Sequence, residues 1–561
     1  VADLTLKERA RRRLEGLKQN RQSFEQDWKE IASYALPARS RFLANDTNKG
    51  RQRNRKLNNS HGIFAFRTLQ GGMTSGLSSQ SRPWFQLTTY DPGLAEDASV
   101  KAWLGVVQER IESFIAHTNF YGAAKTGYLE MGAFGTEACV MLDHPQEGAV
   151  CHALTAGEYW IGLNDAMMPG ALYRECVMTV IQAVETFGYK NVRQAIRDAY
   201  DRSRYDEQHC FYHAIEENDD HVAGKLGPEG KPWRSIYWDE ADGSKDGLVS
   251  LSGYDEQPFW APRWDTTGND AWGQGPGHDA LPDLRELQLQ TKRKAEATDM
   301  HIWPEIVSTA TIKLKRQPKS VVSAPAADLA QGKGVVVPYQ VPYEAIGAVR
   351  EDINDLKGAI NQATYADLFM AISNMDGVQP RNMEEIAARN EEKLTQLGPV
   401  IERVNNEKLQ VAIERVFGIM QRARLLPPAP DALRNAPDIK IEFVSILTQM
   451  QRMVGAGQIE RGVQFVGGLT GMYPSARFKL DSNAMIDKYA RIIGMPADLI
   501  RPTQDAENDA EAEAAAAQNA QAAEAAAKLG KPIKDVTDAA TLAAQLPVAG
   551  TPAVQDLTGQ Q

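Results

Sequence analysis

Ile346-Gly347-Ala348-Val349-Arg350-Glu351-Asp352-Ile353-Asn354-Asp355-Leu356-Lys357-Gly358-Ala359-Ile360 is the clearest periodic stretch of the chain. Ile346, Val349, Ile353, Leu356, Ile360 and then Ala363 recur at alternating steps of three and four, which is the seam of a helix. Arg350, Glu351, Asp352, Asn354, Asp355, Lys357, Asn361 and Gln362 cover the other faces. A seam this narrow suits a helix lying between similar helices better than one on the side of a large core. Helical from Tyr343 to Ile372, it would be about 45 Å long at about 1.5 Å per residue. Upstream, Leu281 to about Met300 carries a weaker face of Leu284, Leu287, Thr291, Ala295 and Thr298. That helix follows Gly273-Gln274-Gly275-Pro276-Gly277, a turn cluster that cannot continue a strand. Two long, mostly polar helices joined by an intervening segment predict a protruding stalk, not a catalytic core.

The regions on either side read differently. Leu6, Ala10, Leu14, Leu17, Phe24, Trp28 and Ile31 form a helical stripe that Pro37 ends. A basic loop follows, with Arg39, Arg41, Lys49, Arg51, Arg53, Arg55 and Lys56 opposed only by Asp46. Asn59 to Ser79 reads as a helix whose glycines and serines predict close packing on a neighbour. Pro83–Leu87 begins an extended segment, and Val100–Ile115 and Ala123–Ala133 read as helices around an Asn119-Phe120-Tyr121 turn. Strands are predicted over Gly135–Leu142, Val150–Ile161, Ala171–Val180, His209–Glu216, Trp233–Trp238 and Leu248–Leu251, with one helical interruption at Val192–Tyr200. Beyond the stalk, Met383–Leu425 reads as one or two long helices, Ile439–Val444 as a strand, and the stretch to Ile493 as short helices. From Asp505 the composition falls to Ala, Gln and Glu, then Pro, Thr and Gly, too poor in large apolar side chains to predict a packed core.

The totals narrow the function classes. With 561 residues the chain has room for several domains, and its formal net charge of -11 argues against a protein that coats nucleic acid. An acidic chain can still surround DNA without gripping it. No stretch has the roughly eighteen continuous apolar residues of a membrane span, and the basic N-terminal stretch does not read as a signal peptide. Cys139, Cys151, Cys176 and Cys210 lack C-x-x-C spacing, which fits a reducing cytoplasm. Gly273, Gly275 and Gly277 are followed by His278 and Asp279, not by the Lys-Ser/Thr of a phosphate-binding loop. His209 and His213 would share a strand face but stand about 13 Å apart, too far for one zinc ion. No residues are singled out as catalytic or metal-ligating, and no cofactor is expected.

A set of short motifs adds a resemblance. Trp28-x2-Ile31-x2-Tyr34-x-Leu36-Pro37, Arg82-x-Trp84-Phe85-x-Leu87, Asn119-Phe120-Tyr121 and Phe134-Gly135-Thr136 occur in that order. They are followed by the Gly273–Gly277 turn with Ala280-Leu281-Pro282-Asp283-Leu284, and by Leu397-Gly398-Pro399-Val400. Over roughly residues 20–500 the chain resembles the head-to-tail connecting (portal) proteins of short-tailed, T7-like bacteriophages. In that family an arginine usually occupies the glycine turn where this chain has Gln274.

The resemblance implies an α+β portal-type fold with a mixed α/β wing, a two-helix stem, a small clip and a helical crown. Mapped onto this sequence, the wing is 1–278, the first stem helix 279–302, the clip 303–342 and the second stem helix 343–372. A tunnel loop at 373–382, a long wing helix at 383–430, a crown at 431–503 and a disordered tail at 504–561 complete the map. It implies a virion component assembled in the host cytoplasm: a homo-oligomer of twelve subunits at one capsid vertex, in contact with capsid protein. Double-stranded DNA would pass through the channel, a terminase motor would dock first and a tail adaptor protein later, with no membrane involved. Asn374, Met375, Asp376 and Gln379 would touch the DNA from the tunnel loop. Lys292, Arg293 and Lys294 would be cation rings on the stem, and Ile346, Val349, Ile353, Leu356 and Ile360 would face neighbouring subunits. Twelve helices side by side at about 10 Å enclose a lumen about 28 Å wide, enough for a duplex about 20 Å across. The competing expectations are a nucleotide- or metal-dependent DNA-processing enzyme, and a helical scaffold or adaptor without a channel.

Overall fold

The computed structural model of the chain describes residues 4–37, 39, 57–95, 97–244, 247–304, 307–308, 335–336, 341–373, 391–433, 439–449, 462–469, 473, 481–486 and a few single residues beyond 510. The chain divides into two compact units, Val1–Phe465 and Val466–Gln561. In the second, only single residues and short helical stretches within 466–469 and 482–486 are described.

Thr5 opens α1 (Leu6–Gln22) through a reciprocal cap with Glu8, satisfying two end groups that a helix leaves free. The N-terminal stripe then divides, because the chain turns at Ser23 before α2 (Glu25–Tyr34). After α3 (His61–Leu77) come β1 (Phe85–Thr89), a single turn α4 (Pro92–Ala95), α5 (Ala98–His117) and α6 (Phe120–Phe134). Asp97 caps α5 by accepting the N–H groups of Ser99 and Val100, and Gly135 ends α6 in the left-handed conformation at φ 76°.

Two antiparallel sheets follow. The strands β2 (Ala138–His144) and β3 (Gly148–Leu154) form a hairpin that a later strand joins. The larger sheet starts with β4 (Tyr159–Leu163) and β5 (Pro169–Thr179). The helices α7 (Val180–Phe187) and α8 (Gln194–Asp201) then lead into β6 (Gln208–Glu217), β7 (Trp233–Asp239) and β8 (Ser250–Tyr254), in sheet order β4-β5-β6-β7-β8. Alternation along these strands sends their side chains to two faces. On one face Trp160, Tyr173, Tyr212, Ile236 and Trp238 receive Ala10, Leu14 and Leu17 of α1. On the other, Phe211 and Tyr237 receive Val180, Ala183, Phe187 and Ile196 of α7 and α8. β9 (Phe259–Trp260) completes the smaller sheet, β3-β2-β9.

Within the larger sheet His213 is fully buried. Its Nδ1 accepts from Arg174 Nε–H at 3.0 Å, its Nε2 lies 2.9 Å from the Ser235 hydroxyl, and its ring stacks on Tyr237. Burial holds its pKa well below the usual histidine value of 6.5, and Arg174 and His152 lower it further. A histidine depressed in the folded state contributes no penalty above about pH 6.5, where both states are neutral. As pH falls below that value, only the unfolded chain gains the proton, so stability is lost. The melting temperature is therefore expected to fall between pH 7.5 and 5.5. His213→Asn, whose amide oxygen still accepts from Arg174, should reduce that fall, and an unchanged pH dependence in the variant would contradict the assignment.

The short helix α9 (Pro276–Asp279) leads into α10 (Leu281–Ile302), with Pro282 in its first turn. β10 (Val307–Ser308) pairs antiparallel with β11 (Val335–Val336), Val307 opposite Val336. The rest of the expected clip lies outside the described residues.

The second stem helix is shorter than the sequence predicts. α11 (Tyr343–Ala363) stops at Thr364, whose hydroxyl donates back to the Ile360 carbonyl at 2.7 Å. Tyr365 then takes φ 55°, and α12 (Ala366–Ser373) follows. The helices α13 (Glu391–Val404) and α14 (Gln410–Arg422) are joined by a π-helical turn, Asn405–Leu409.

β12 (Ile439–Phe443) lies within the stretch expected as crown. It pairs antiparallel with β1, Phe85 opposite Phe443. Phe443 and Leu447 lie in the same core as Phe85 and Leu69. Apolar burial thus joins Phe443 and Leu447 to the core that holds β1 and α3.

Candidate functional site

The candidate site is the stalk of α10 and α11, together with the wing surface that holds it. The two helices run antiparallel: His301 near the end of α10 stands beside Tyr343 at the start of α11 (ring centroids 6.0 Å apart), and its Nδ1 lies 2.8 Å from the Val341 carbonyl. At the wing end both helices meet the first turn of α3. Gly62 faces Leu284 so closely that a Cβ there would sit 2.6 Å from the leucine Cδ2. His61 Nε2 lies 2.9 Å from Asn361 Oδ1 and 3.2 Å from the Lys357 carbonyl. The buried Gln288 accepts the N–H groups of Asn58 and Asn59 at 2.8 and 3.0 Å and donates to the Asn59 carbonyl at 2.7 Å. Arg285 pairs with Glu30 of α2. Further along α3, Gly72 receives Phe369 of α12 and Gly76 receives Leu447, the close packing that its small residues predict.

The seam of α11 is largely filled within the single chain. Ile353 (5% exposed) and Ile360 (0%) are already buried within one chain. Both belong to its main core, and Val349 and Leu356 pack against that core. A side chain with no remaining accessible surface gains nothing from a neighbouring subunit. Within the single chain, Ile353 and Ile360 therefore hold α11 onto its own core. Ile346, Val349 and Leu356 are half-buried.

The three stem cations do not share a face. Successive helical residues are about 100° apart. Lys292 and Arg293 are exposed while Lys294 is half-buried, and Lys292 stands 3.7 Å from Glu296. Asn374, Met375, Asp376 and Gln379 lie outside the described residues. So do Arg41, Lys49, Arg51, Arg53, Arg55 and Lys56 of the basic loop. Arg39 is described, and it pairs with the buried Glu130 at 3.1 Å.

The glycine turn before the stalk is packed, not open to a ligand. Gly273, Gly275 and Gly277 are buried against the end of α6, and a Cβ at Gly277 would lie 1.9 Å from the Ala133 carbonyl oxygen. Gly273 N–H donates to Thr136 Oγ1 at 2.8 Å. The Phe134-Gly135-Thr136 motif and the glycine turn, far apart in sequence, are thus two sides of one junction.

A second feature has no local signal in the sequence. The π-helical turn carries Glu407 and Lys408, and both are buried. Glu407 takes Arg263, with Oε1 2.7 Å from Nη2 and Oε2 accepting the Arg263 backbone N–H at 3.1 Å. Lys408 Nζ donates to Glu137 Oε2 at 2.8 Å and lies 3.6 Å from the centroid of the Tyr128 ring. Trp260 Nε1–H donates to the other Glu137 oxygen at 3.1 Å. Burial pushes the Glu137 carboxyl up and the Lys408 ammonium down, and each partner opposes the other's shift. With the donor, the acceptor and the ring face all in place, the pair is an ionised contact isolated from water. These pairs tie the α13–α14 rod to α6, to β2 through Glu137 just before it, and to the segment leading into the glycine turn. Among the described residues no group of side chains has the makings of a metal site, and no helix is long and apolar enough to cross a membrane.

The comparisons with known proteins agree with this architecture. The profile of the family described as "Bacteriophage head to tail connecting protein" matches residues 7–500. The chain is 34% identical over 554 residues to the "Portal protein" of Salmonella phage epsilon15, covering 98% of this chain and 99% of that protein. It is 35% identical over 526 residues to the "Probable portal protein" of Bordetella phage BPP-1, covering 92% and 93% of the two. A match along nearly the whole length, over wing and stalk together, means that the chain belongs to the bacteriophage head-to-tail connecting protein family.

Proposed function

We propose that the chain is the portal of a bacteriophage virion: a ring of twelve copies at one capsid vertex whose stalks surround a channel for double-stranded DNA. The observation that carries this reading is the stalk, two long antiparallel helices held on a broad α/β wing, in a chain of the connector family. The wing meets the capsid protein. The segment between the two stalk helices docks the terminase motor during packaging and a tail adaptor protein afterwards. The DNA is packaged, retained and ejected through the same channel.

The charge on the stalk suits a conduit. α10 carries Arg285, Lys292, Arg293 and Lys294 against Asp283, Glu286, Glu296 and Asp299. α11 carries Arg350 and Lys357 against Glu344, Glu351, Asp352 and Asp355. Walls without a basic excess release few counterions from the duplex, so it slides without being gripped. The protein acts as a passive conduit, and the energy for packaging comes from the separate motor. The relatives' names describe portals, which supports this non-enzymatic reading.

Mass photometry of the purified protein tests the assembly. The expected species is about twelve times the 61.9 kDa chain, without ATP hydrolysis in a parallel assay. A monomer at micromolar concentration, or nucleotide turnover by the purified ring, would contradict the proposal.

A further inference from the structure

The stalk uses one side of each helix within its own chain and leaves the opposite sides bare. On α10, Leu284, Leu287 and Gln288 are buried, and the far side carries Leu289, Arg293, Glu296 and Met300. On α11, Ile353 and Ile360 are buried, and the far side carries Glu344, Gly347, Glu351, Asp355 and Gly358. These two bare sides differ in kind.

The side on α10 is apolar for a solvent-facing surface. Leu289 is 46% exposed and Met300 56%, and Trp303 just beyond the helix is 47% exposed. Its centre is cationic, at Arg293. The side on α11 is acidic and small. A Cβ at Gly347 or Gly358 would meet nothing within 4 Å, so neither glycine is needed by its own chain. Each nevertheless weakens a helix interior relative to alanine. Among the described residues Arg293, Glu351 and Asp355 have no ion-pair partner.

The levels also match. His301 stands beside Tyr343, and Leu284 and Asn361 meet the same turn of α3. Midway between these anchors, Lys292 and Arg293 are level with Glu351 and Asp352, with Asp355 one turn away. In a closed ring the operator is a rotation without translation, so a group meets the next copy at its own height. The cationic centre of one α10 then meets the acidic centre of the next copy's α11. Glu286 and Glu296 fall near the levels of Gly358 and Gly347, clear of the central Arg293 contact.

We infer that the far side of α10, through Arg293 flanked by Leu289 and Met300, packs on the far side of α11 of a second copy of this chain, through Glu351 and Asp355 between Gly347 and Gly358. The inference rests on the ring reading above and assigns the two faces by which its stalks join. Arg293 then serves the subunit interface and does not line the channel.

Charge reversal and cross-linking test it. Arg293→Glu and Glu351→Arg should each lower the fraction of chains in rings at least tenfold at low salt. The combination of both in one chain should restore rings, because every interface then carries the reversed pair. Independently, a chain with Arg293→Cys and Glu351→Cys should give a ladder of covalent multimers on mild oxidation. Each single cysteine variant should not. Both positions are exposed, so the variants should fold, and the cysteine pair decides the matter even if a charge-reversed chain is unstable. Wild-type protein that forms no ring overturns the channel reading and this inference with it. Wild-type rings with no ladder, or with single reversals that assemble normally, overturn the interface and leave the ring standing.

Discussion

Lys408→Met is expected to destabilise the wing by about 3–5 kcal/mol, because it leaves the Glu137 carboxylate buried without its counter-ion. Glu137 has no route to solvent: it is 1% exposed, and its other oxygen already accepts from Trp260. Adding Glu137→Gln should recover most of the loss, since a glutamine oxygen still accepts the indole N–H and no unpaired charge remains. Denaturant midpoints of the two single variants and the double variant measure the coupling. Strict additivity of the single effects would show that the two groups do not act as a pair. A consequence for assembly follows. Lys408 lies on the α13–α14 rod and Glu137 beside the glycine junction that leads into the stalk, so Lys408→Met should also reduce the yield of rings.

The second large effect concerns the seam. Ile360→Asp should cost about 4 kcal/mol or more, because it places a carboxylate at a site with no accessible surface. Ile353→Asp should act in the same way. The loss should be visible in the single chain as faster amide exchange across Tyr343–Ala363 and Leu281–Ile302, in addition to any failure to form rings. Unchanged exchange in those helices, with only assembly lost, would return the seam to the neighbouring subunits.

The strong periodic segments and their turn signals were readable from the sequence. The strands β5 to β8 of the larger sheet follow from alternation between turn residues, whereas Val150–Ile161, expected as one strand, is β3 and β4 in different sheets, divided by a turn with Gly157 at φ 101°. The break at Tyr365 was not readable, because Thr-Tyr carries no glycine or proline. The left-handed turn is held by the Thr364 hydroxyl and by Tyr365 packing near Trp264, a tertiary contact. α7 did have a signal: Thr179 and Gln182 form a reciprocal cap, a Thr-x-x-Gln pattern before an apolar run. The two buried ion pairs had none. Glu407 and Lys408 look like solvated helix charges until the fold brings Arg263 and Glu137 to them, 144 and 271 residues away. The seam was legible as a seam, but periodicity does not say whose helix fills it.

The most direct test of the central claim is an end-on cryo-electron microscopy average of the purified, assembled protein. The expected image is a closed ring of stalks around an opening wider than a DNA duplex, about 20 Å. An assembly with no central opening, or one narrower than the duplex, would contradict it.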